Sequence, residues 1–334
     1  MRSSRSISPT WRCSNKRGGC EMTAIANDKV KKIKEPKGNQ SRNLISPGTN
    51  VVFNIVLAIG CVLTIIPLWI IIVASLSSEV ALTTYGYQLW PVEFSVNAYS
   101  YLFRDGSIMI TAYKNTIIAT VAGTVLSTIT VGLYAYALSR RDFKFRKFFT
   151  FFSFFTMLFS GGMVSYYNIC RSFLGLKDTV WALFLPLSFS SYWVIIMRTF
   201  YQSNVPEEVI ESARIDGSGE WRTFLQIVAP LAIPGYATVA LFSAVGLWND
   251  FRQCLLLNDS SNYYNLQYTI YQTMNNLRFL KENASKMGGA NVSNLPAETF
   301  RMAMAVVTVG PIILAYPFFQ KYFIKGLTVG AVKG

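Results

Sequence analysis

The sequence predicts an all-α integral membrane protein with six transmembrane helices. Its 334 residues are 51% hydrophobic and only 14% charged, and their mean hydropathy is +0.32. The apolar residues fall in long continuous runs instead of one-sided stripes, as helices that cross a bilayer require. The chain contains no histidine, which excludes histidine-based catalytic triads and histidine-ligated metal sites.

The first 48 residues are predicted to form a disordered, basic cytoplasmic tail. Residues 1–43 hold eleven lysines or arginines against three acids, and so polar a segment cannot bury a core. A role in binding nucleic acid or anionic lipid is an alternative, which the lack of interleaved aromatic residues disfavours. Met22 opens a more ordinary leader than Met1 does, and we hypothesise that the protein starts there.

Six apolar runs after this tail are the predicted spans. They are Val51–Leu76, Ala112–Leu138, Phe148–Ile169, Val180–Phe200, Phe224–Leu247 and Phe300–Phe319. The first is 26 uncharged residues long, about 39 Å as a helix, which exceeds the core of a signal peptide. In the second, small residues recur every four positions and predict close helix packing. Gly161-Gly162 breaks the third span, and Pro186 lies in the fourth.

The loop charges predict that both ends of the chain are cytoplasmic. Cationic segments lie at residues 1–48, at 140–147 and in the tail after the sixth span, and lysine and arginine mark cytoplasmic loops. The aromatic segment 77–110 and the polar loop 248–299 then lie outside. Four cations in the outer loop weaken this bias without reversing it: Arg252, Arg278, Lys281 and Lys286.

A short polar helix is predicted between the fourth and fifth spans, at residues 206–217. Asn204 is predicted to cap it, Pro206 suits its first turn, and Gly217 is predicted to end it in a left-handed conformation. Its first half carries acids, which the positive end of the helix dipole favours: Glu207, Glu208 and Glu211. Small apolar residues, with Ile210 beside them, form the predicted apolar face: Val205, Val209 and Ala213. Such a helix is either a solvated loop or a docking element for a soluble partner.

Several classes of membrane protein are disfavoured by what the spans lack. Ionisable side chains occur only near their ends, at Lys114, Arg198 and Arg301, whereas ion-coupled carriers usually need intramembrane carboxylates. The spans contain no paired acids or metal ligands of the kind that an intramembrane enzyme needs. The five cysteines form no C-x-x-C pair, so no zinc site or structural disulfide is predicted. The sequence also contains no G-x-x-x-x-G-K-[ST] loop for binding a nucleotide. Energy for uphill transport would therefore come from another chain, through the polar helix 206–217.

The same helix resembles a known family motif. Glu211-Ser212-Ala213, three residues, Gly217, nine residues and Ile227-Val228-Ala229-Pro230 are similar to the EAA loop of binding-protein-dependent ABC importer permeases. The family pattern is Glu-Ala-Ala, three residues, Gly, nine residues and Ile-x-Leu-Pro. Ser212 replaces the first alanine here, and Ala229 replaces the leucine.

The resemblance extends from about Asn50 to Gly334 and points to the carbohydrate branch of that family. Three segments are similar to the second permease subunit of maltose-type systems: Arg214-Ile215-Asp216-Gly217, Trp248-Asn249-Asp250 and the tail from Gln320 to Gly334. Two others resemble a Gram-positive subgroup associated with complex oligosaccharides: Ser160-Gly161-Gly162 and Ile196-Met197-Arg198-Thr199-Phe200.

This resemblance implies a type I ABC importer permease of MetI-like fold over residues 49–334, with a coupling loop at 202–222 and an outer loop at 248–299. It implies that the chain is not an enzyme and holds no cofactor or metal, because separate ATPase subunits use ATP and Mg²⁺. The implied partners are a second homologous permease, two cytoplasmic ATPase subunits, an extracellular solute-binding lipoprotein, the bacterial cell membrane and a sugar, with no nucleic acid. Transport would proceed by alternating access.

The resemblance also assigns ATPase-coupling residues. They are Glu208, Glu211, Ser212, Ala213, Arg214, Asp216, Gly217 and Pro230. Glu211 is expected to make a charge-assisted contact in the ATPase cleft, with a purely helix-stabilising role as the alternative. Arg214 and Asp216 either pair with the partner or solvate the loop. Pro230 is expected to kink the entry to the fifth span.

Candidates for the substrate path follow from sugar chemistry. Neutral sugars are held by aromatic faces and by amide or hydroxyl groups. Five such residues lie near the outer end of the third span, in the fourth span and at the end of the fifth: Tyr166, Asn168, Tyr192, Trp248 and Asn249. Interfacial aromatic belts are the alternative explanation. Two rival functions also remain, which are the same scaffold serving a non-sugar solute and a membrane scaffold without transport.

Overall fold

The computed structural model describes residues 47–103, 106–283 and 297–331, and these residues are mostly helical. In those ranges β structure is limited to an isolated antiparallel bridge between Ser77 and Phe94. The basic tail lies outside the described residues except for its last two positions. A boundary between two compact units falls at Cys61 and Val62, and every tertiary contact below lies in the second unit.

The first helix, α1, runs over Pro47–Ser75, close to the predicted first span. Within the described residues the helix extends four residues before Val51. Apolar side chains along most of its length are exposed, as a lipid-facing helix requires. Two short helices follow, α2 at Glu79–Tyr85 and α3 at Asn97–Leu102, inside the segment predicted to be an interfacial loop.

Helix α4, Gly106–Ser139, packs against two later helices. These are α7, Ser191–Asn204, and α11, Ile233–Asn249. At Gly123 an added Cβ would lie 2.6 Å from Leu247 Cδ1 and 2.8 Å from Phe184 Cβ. The predicted close packing of the second span is therefore confirmed.

Glycine breaks the third predicted span. Helix α5, Arg146–Leu158, is followed by α6, Gly162–Asn168, and a π-helical turn at Ile169–Phe173. The two parts meet at 115°, and Gly162 has φ +80°, a conformation that side chains disfavour. The break predicted at Gly161-Gly162 is confirmed, and it folds the chain back sharply.

Proline accompanies the other two broken segments. The 3₁₀ turns Val180–Leu183 and Leu185–Leu187 meet α7 at 48°. Helix α8 is Glu207–Ile215, and α9, Glu220–Thr223, continues through a π-helical turn at Phe224–Val228 into α10, Ala229–Leu231. That run meets α11 at 78°. Pro230 and Pro234 flank the bend, and each removes one helical hydrogen bond, so the kink expected at Pro230 is confirmed.

The predicted outer loop is folded where it is described. It contains α12 at Arg252–Leu257, a 3₁₀ turn at Ser261–Tyr263 and α13 at Leu266–Asn283, while residues 284–296 lie outside the described ranges. Helix α14 follows at Ala297–Ala331. The Glu79 carboxylate accepts hydrogen bonds from the backbone N–H of Glu298 at 3.0 Å and of Thr299 at 2.9 Å, which satisfies donors that have no intrahelical partner.

Three helical stretches of the described chain are long and apolar enough to cross a membrane: Gly48–Ser75, Ile108–Ser139 and Ala297–Leu314. The number rises to six if each of the three bent pairs counts as one span. The predicted positions of the six spans therefore match three straight helices and three broken ones.

The packing at Gly123 makes a stability prediction. Gly123→Ala is expected to destabilise the protein by about 1–3 kcal/mol, because overpacking displaces neighbouring side chains. Gly246→Ala is the matched control, since no atom lies within 4 Å of the added methyl group, and alanine there stabilises the helix by up to about 1 kcal/mol. Thermal unfolding in detergent measures both, and equal effects of the two substitutions would contradict the packing argument.

Candidate coupling surface and solute path

Helix α8 begins one residue after Pro206, which occupies its N-cap position with no side-chain capping bond. The cap predicted at Asn204 is wrong. Asn204 is still the last residue of α7, and its amide donates to the Phe200 carbonyl at 3.1 Å. Val205 is extended, with φ −108° and ψ 105°, because a residue before proline avoids the helical region.

The end of α8 forms the turn that the sequence predicts. Gly217 has φ +77°, the Ser218 N–H donates to the Ala213 carbonyl at 2.9 Å, and the Gly217 N–H donates to the Arg214 carbonyl at 3.0 Å. This pair of bonds is a Schellman motif. The left-handed role predicted for Gly217 is confirmed, and the chain turns sharply towards α9.

The buried face of α8 differs in part from its prediction. Ile210 and Ala213 are 5% and 6% exposed and Val205 is 8% exposed, whereas Val209 is 37% exposed. Ile210 and Val205 belong to a core cluster with Phe224 and other residues of the bundle. Ala213 is thus covered by its own chain, where a small residue permits α8 to lie close to the bundle.

The opposite face of α8 is exposed and carries the acids. Its exposed residues follow the spacing of one helical face: Glu208, Glu211, Ser212 and Ile215. Ile215 is 87% exposed, and Trp221 just beyond the helix is 69% exposed. Acidic residues beside exposed large apolar ones form a surface suited to a protein partner. We call this set, with Trp221, the coupling face.

Arg214 does not extend from this face as a free charge. Its Nη2 lies 2.5 Å from Asp142 Oδ2 and 2.6 Å from Glu220 Oε1, and the Tyr136 hydroxyl donates to Glu220 Oε2 at 2.9 Å. These bonds raise the pKa of Arg214, and the bond from Arg214 lowers the pKa of Asp142. The sequence left two alternatives for Arg214, which were pairing with the partner and solvating the loop. The structure shows a third, an ion pair within the chain. Asp216 is exposed.

A second ion pair holds the start of α8. Arg141 Nε lies 3.0 Å from Glu207 Oε2, so both ends of α8 are bonded to the connection between α4 and α5. A cavity of about 500 Å³ lies between the start of α8 and the ends of α4 and α7. The helix is therefore attached at its ends and has open space beside it.

The five candidate solute-path residues do not share one environment. Trp248 is 8% exposed, packs in a cluster with Leu266 and Phe300, and donates its indole N–H to the Thr308 carbonyl at 3.1 Å. In this chain Trp248 is a core residue. Tyr166 is half-buried, and its hydroxyl donates to Gln253 Oε1 at 2.7 Å.

The other three candidates are exposed. Asn168 and Tyr192 lie on the surface, Tyr192 contacts Trp193 edge to face, and Asn249 accepts a hydrogen bond from Gln267 Nε2 at 3.3 Å. Their side chains are accessible to a solute.

A polar group around Asp250 was missed by the sequence reasoning. Asp250 is buried, its carboxylate accepts from the Gln253 N–H at 2.9 Å, and its carbonyl accepts from Asn265 Nδ2 at 2.5 Å. Burial raises the pKa of Asp250. In the sequence, Asp250 is interpreted only as part of a family marker, and its buried hydrogen bonds depend on Gln253 and Asn265.

Comparison with known proteins defines the class. The family described as binding-protein-dependent transport system inner membrane component matches residues 43–329. The chain belongs to this family of transport permeases, whose ATPase is a separate subunit, and the MetI-like fold is confirmed.

Two proteins of Bacillus subtilis are similar to this chain over most of its length. The chain is 39% identical over 286 residues to the polygalacturonan/rhamnogalacturonan transport system permease protein YtcP of Bacillus subtilis (strain 168), covering 84% of this chain and 96% of that protein. It is 37% identical over 273 residues to protein LplC of the same organism, covering 81% and 90%.

A solved structure also matches this fold. It is a bacterial ABC transporter involved in the import of the acidic polysaccharide alginate, one chain of which superposes with a TM-score of 0.70 at 29% identity. The match covers 84% of this chain and 99% of that chain.

The Arg214 ion pair predicts a pH-dependent stability. The folded-state pKa of Asp142 is lowered, so the pair stabilises the fold above the unfolded-state pKa and stops doing so as pH falls through the folded-state pKa. Asp142→Asn is expected to lower stability at neutral pH by at most about 1 kcal/mol, because the pair is half exposed.

Thermal unfolding of wild type and variant from neutral to acidic pH measures this difference. The two are expected to converge at low pH. Asp216→Asn removes a neighbouring exposed carboxylate and is the matched control. A difference between wild type and Asp142→Asn that stays constant across the titration would contradict the ion-pair argument.

Proposed function

We propose that this chain is the membrane-spanning permease subunit of an ATP-driven importer of oligosaccharides, in the bacterial cell membrane with both termini in the cytoplasm. The observation that carries the proposal is the coupling face, an acidic and apolar surface on a short helix outside the spans, in a chain of the binding-protein-dependent transport family. Two relatives named for carbohydrate or polysaccharide transport support the substrate class.

The assembly would contain a second homologous permease, two cytoplasmic ATPase subunits and an extracellular solute-binding lipoprotein. ATP and Mg²⁺ belong to the ATPase subunits, and this chain would bind neither. The coupling face would lie in a cleft of one ATPase subunit, where Glu208 and Glu211 meet cationic groups of the partner and Ile215 and Trp221 meet apolar ones.

Movement of α8 would reach the spans through its two ion-paired ends. When the ATPase subunits close, α8 moves with them, and the bonds of Arg214 and Arg141 pull the connection between α4 and α5. Helix α4 continues from that connection through the bundle as 34 residues of unbroken helix. A displacement at its inner end therefore reaches its outer end, as alternating access by rigid-body motion requires.

The solute would pass among exposed aromatic and amide groups. Tyr192, Asn168 and Asn249 offer a ring face and amide hydrogen bonds, the chemistry that sugars need. Tyr166 and Trp248 would act indirectly, because Tyr166 is bonded to Gln253 of α12 and Trp248 is bonded to the Thr308 carbonyl of α14. A non-sugar solute and a scaffold without transport are the rival functions.

The coupling face predicts the effect of a charge reversal. Glu211→Lys is expected to weaken co-purification of the ATPase subunit at least about tenfold, because a like charge replaces an attractive one at a desolvated contact. The variant is expected to insert in the membrane at wild-type levels, because Glu211 is exposed and outside the bundle. Affinity pull-down from membranes measures the association.

Glu282→Lys supplies the matched control, with the same charge change at an exposed residue of α13. Its ATPase association is expected to equal that of wild type. Normal recovery of the ATPase with Glu211→Lys would contradict the coupling proposal, and equal losses in both variants would contradict the location of the contact.

Uptake measurements distinguish the substrate rivals. Deletion of the chain is expected to abolish uptake of at least one labelled oligosaccharide from a panel of uronate-containing and neutral oligosaccharides. Uptake of amino acids, phosphate and polyamines is expected to remain. Loss of one of those solutes with unchanged oligosaccharide uptake would favour the non-sugar rival, and unchanged uptake of every solute would favour the scaffold.

A further inference from the structure

A second cavity, of about 300 Å³, lies beside the first turns of α5 and next to α7. Its lining combines three cations with a hydroxyl and two aromatic rings: Arg146, Lys147, Arg198, Thr150, Phe151 and Phe154. No carboxylate lines it. Arg146 also lines the cavity beside α8, but no residue of the coupling face lines this second cavity, and the proposed function makes no use of it.

The three cations of this cavity have no anionic partner among the described residues. Arg198 Nε donates to the Leu138 carbonyl at 3.2 Å, which satisfies hydrogen bonding without neutralising charge. By contrast, the arginines of the neighbouring coupling region each face a carboxylate: Arg140, Arg141 and Arg214. Three cations without a carboxylate within ion-pair distance therefore line this one cavity.

The start of α5 adds positive potential at the same place. Its first turn contains no acid, and Phe145 at the N-cap makes no side-chain capping bond. Arg146 and Lys147 thus lie at the helix end that is already partly positive, an arrangement that destabilises the helix unless an anion is nearby. A bound anion would offset the dipole and the side-chain charges together.

The two aromatic residues of the lining indicate whether the anion belongs to a lipid or is free in solution. Phe151 is 69% exposed and Phe154 is 43% exposed, and both lie on a helix that forms half of a candidate span. A free anion gains nothing from contact with exposed phenyl rings, whereas the acyl chains of a lipid pack against them. A volume of about 300 Å³ suits a headgroup and not a whole lipid.

We propose that this cavity binds the phosphate of an anionic phospholipid headgroup, with Arg146, Lys147 and Arg198 as its ligands and the acyl chains against Phe151 and Phe154. Guanidinium groups offer paired donors that match phosphate oxygens, and basic pockets between membrane helices favour anionic headgroups. The bound lipid would fix the inner ends of α5 and α7 relative to each other.

Native mass spectrometry of the full-length protein, purified in mild detergent with phosphatidylglycerol, tests the proposal. Wild type is expected to retain phosphatidylglycerol through delipidation and to release phosphatidylcholine. The double variant Arg146→Gln with Lys147→Gln is expected to bind phosphatidylglycerol about thirtyfold more weakly, a change of about 2 kcal/mol. The double variant Arg141→Gln with Lys144→Gln removes the same charge from the connection just before α5, outside the lining of the cavity, and is expected to bind as wild type does.

Three outcomes would overturn the proposal. These are equal retention of phosphatidylcholine, equal loss of phosphatidylglycerol in both double variants, and displacement of the lipid from wild type by millimolar inorganic phosphate, which would make the site one for free phosphate. If the cavity variant fails to fold, photocrosslinking of wild type with photoactivatable phosphatidylglycerol tests the site instead. Crosslinks to residues 146–154 support the site, and crosslinks confined to other segments overturn it.

Discussion

The close packing of α4 is the constraint on which the rest of this structure depends. Gly123 leaves room for Leu247 and Phe184, and Ser127 shares a 3.0 Å hydrogen bond with Ser243, so α4 and α11 lie closer than larger side chains would permit. Backbones at that distance gain many dispersion contacts. Association between membrane helices relies on such contacts, because lipid is as apolar as the helix surfaces.

The same helix connects the two ends of the molecule. At one end of α4, Tyr136 donates to Glu220, which is bonded to Arg214. Towards the other end, Asn115 donates to the carbonyls of Asn262 and Tyr264 at 2.8 and 3.0 Å. Since no break interrupts α4, the turn after α8 and the turns before α13 are bonded to opposite halves of one continuous helix. In the proposed transport cycle, a displacement of α8 would therefore reach the far end of α4.

Around α8 the structure separates two sets of charges that are adjacent in sequence. Glu208 and Glu211 are exposed and available to a partner, whereas Arg214 is held by Asp142 and Glu220 within the chain. A partner that engages the coupling face would therefore act on the carboxylates of the helix, and Arg214 would carry the motion inward.

Local patterns in the sequence were sufficient wherever backbone chemistry decides the outcome. The break at Gly161-Gly162, the left-handed turn at Gly217 and the kink near Pro230 were all predicted and are all present, because glycine and proline restrict φ and hydrogen bonding by themselves. Asn204 was predicted to cap α8 and does not, because it is the last residue of α7 and its amide donates to the Phe200 carbonyl of that helix.

Side-chain roles required the tertiary structure. Trp248 and Tyr166 are aromatic residues like the exposed candidate Tyr192. However, Trp248 is buried and Tyr166 is bonded to Gln253. The sequence by itself determined the helical membrane class, the family motif and the turns. Only the fold decided that Asp142 meets Arg214 across 72 positions, because such pairing depends on where distant segments converge and not on any local preference.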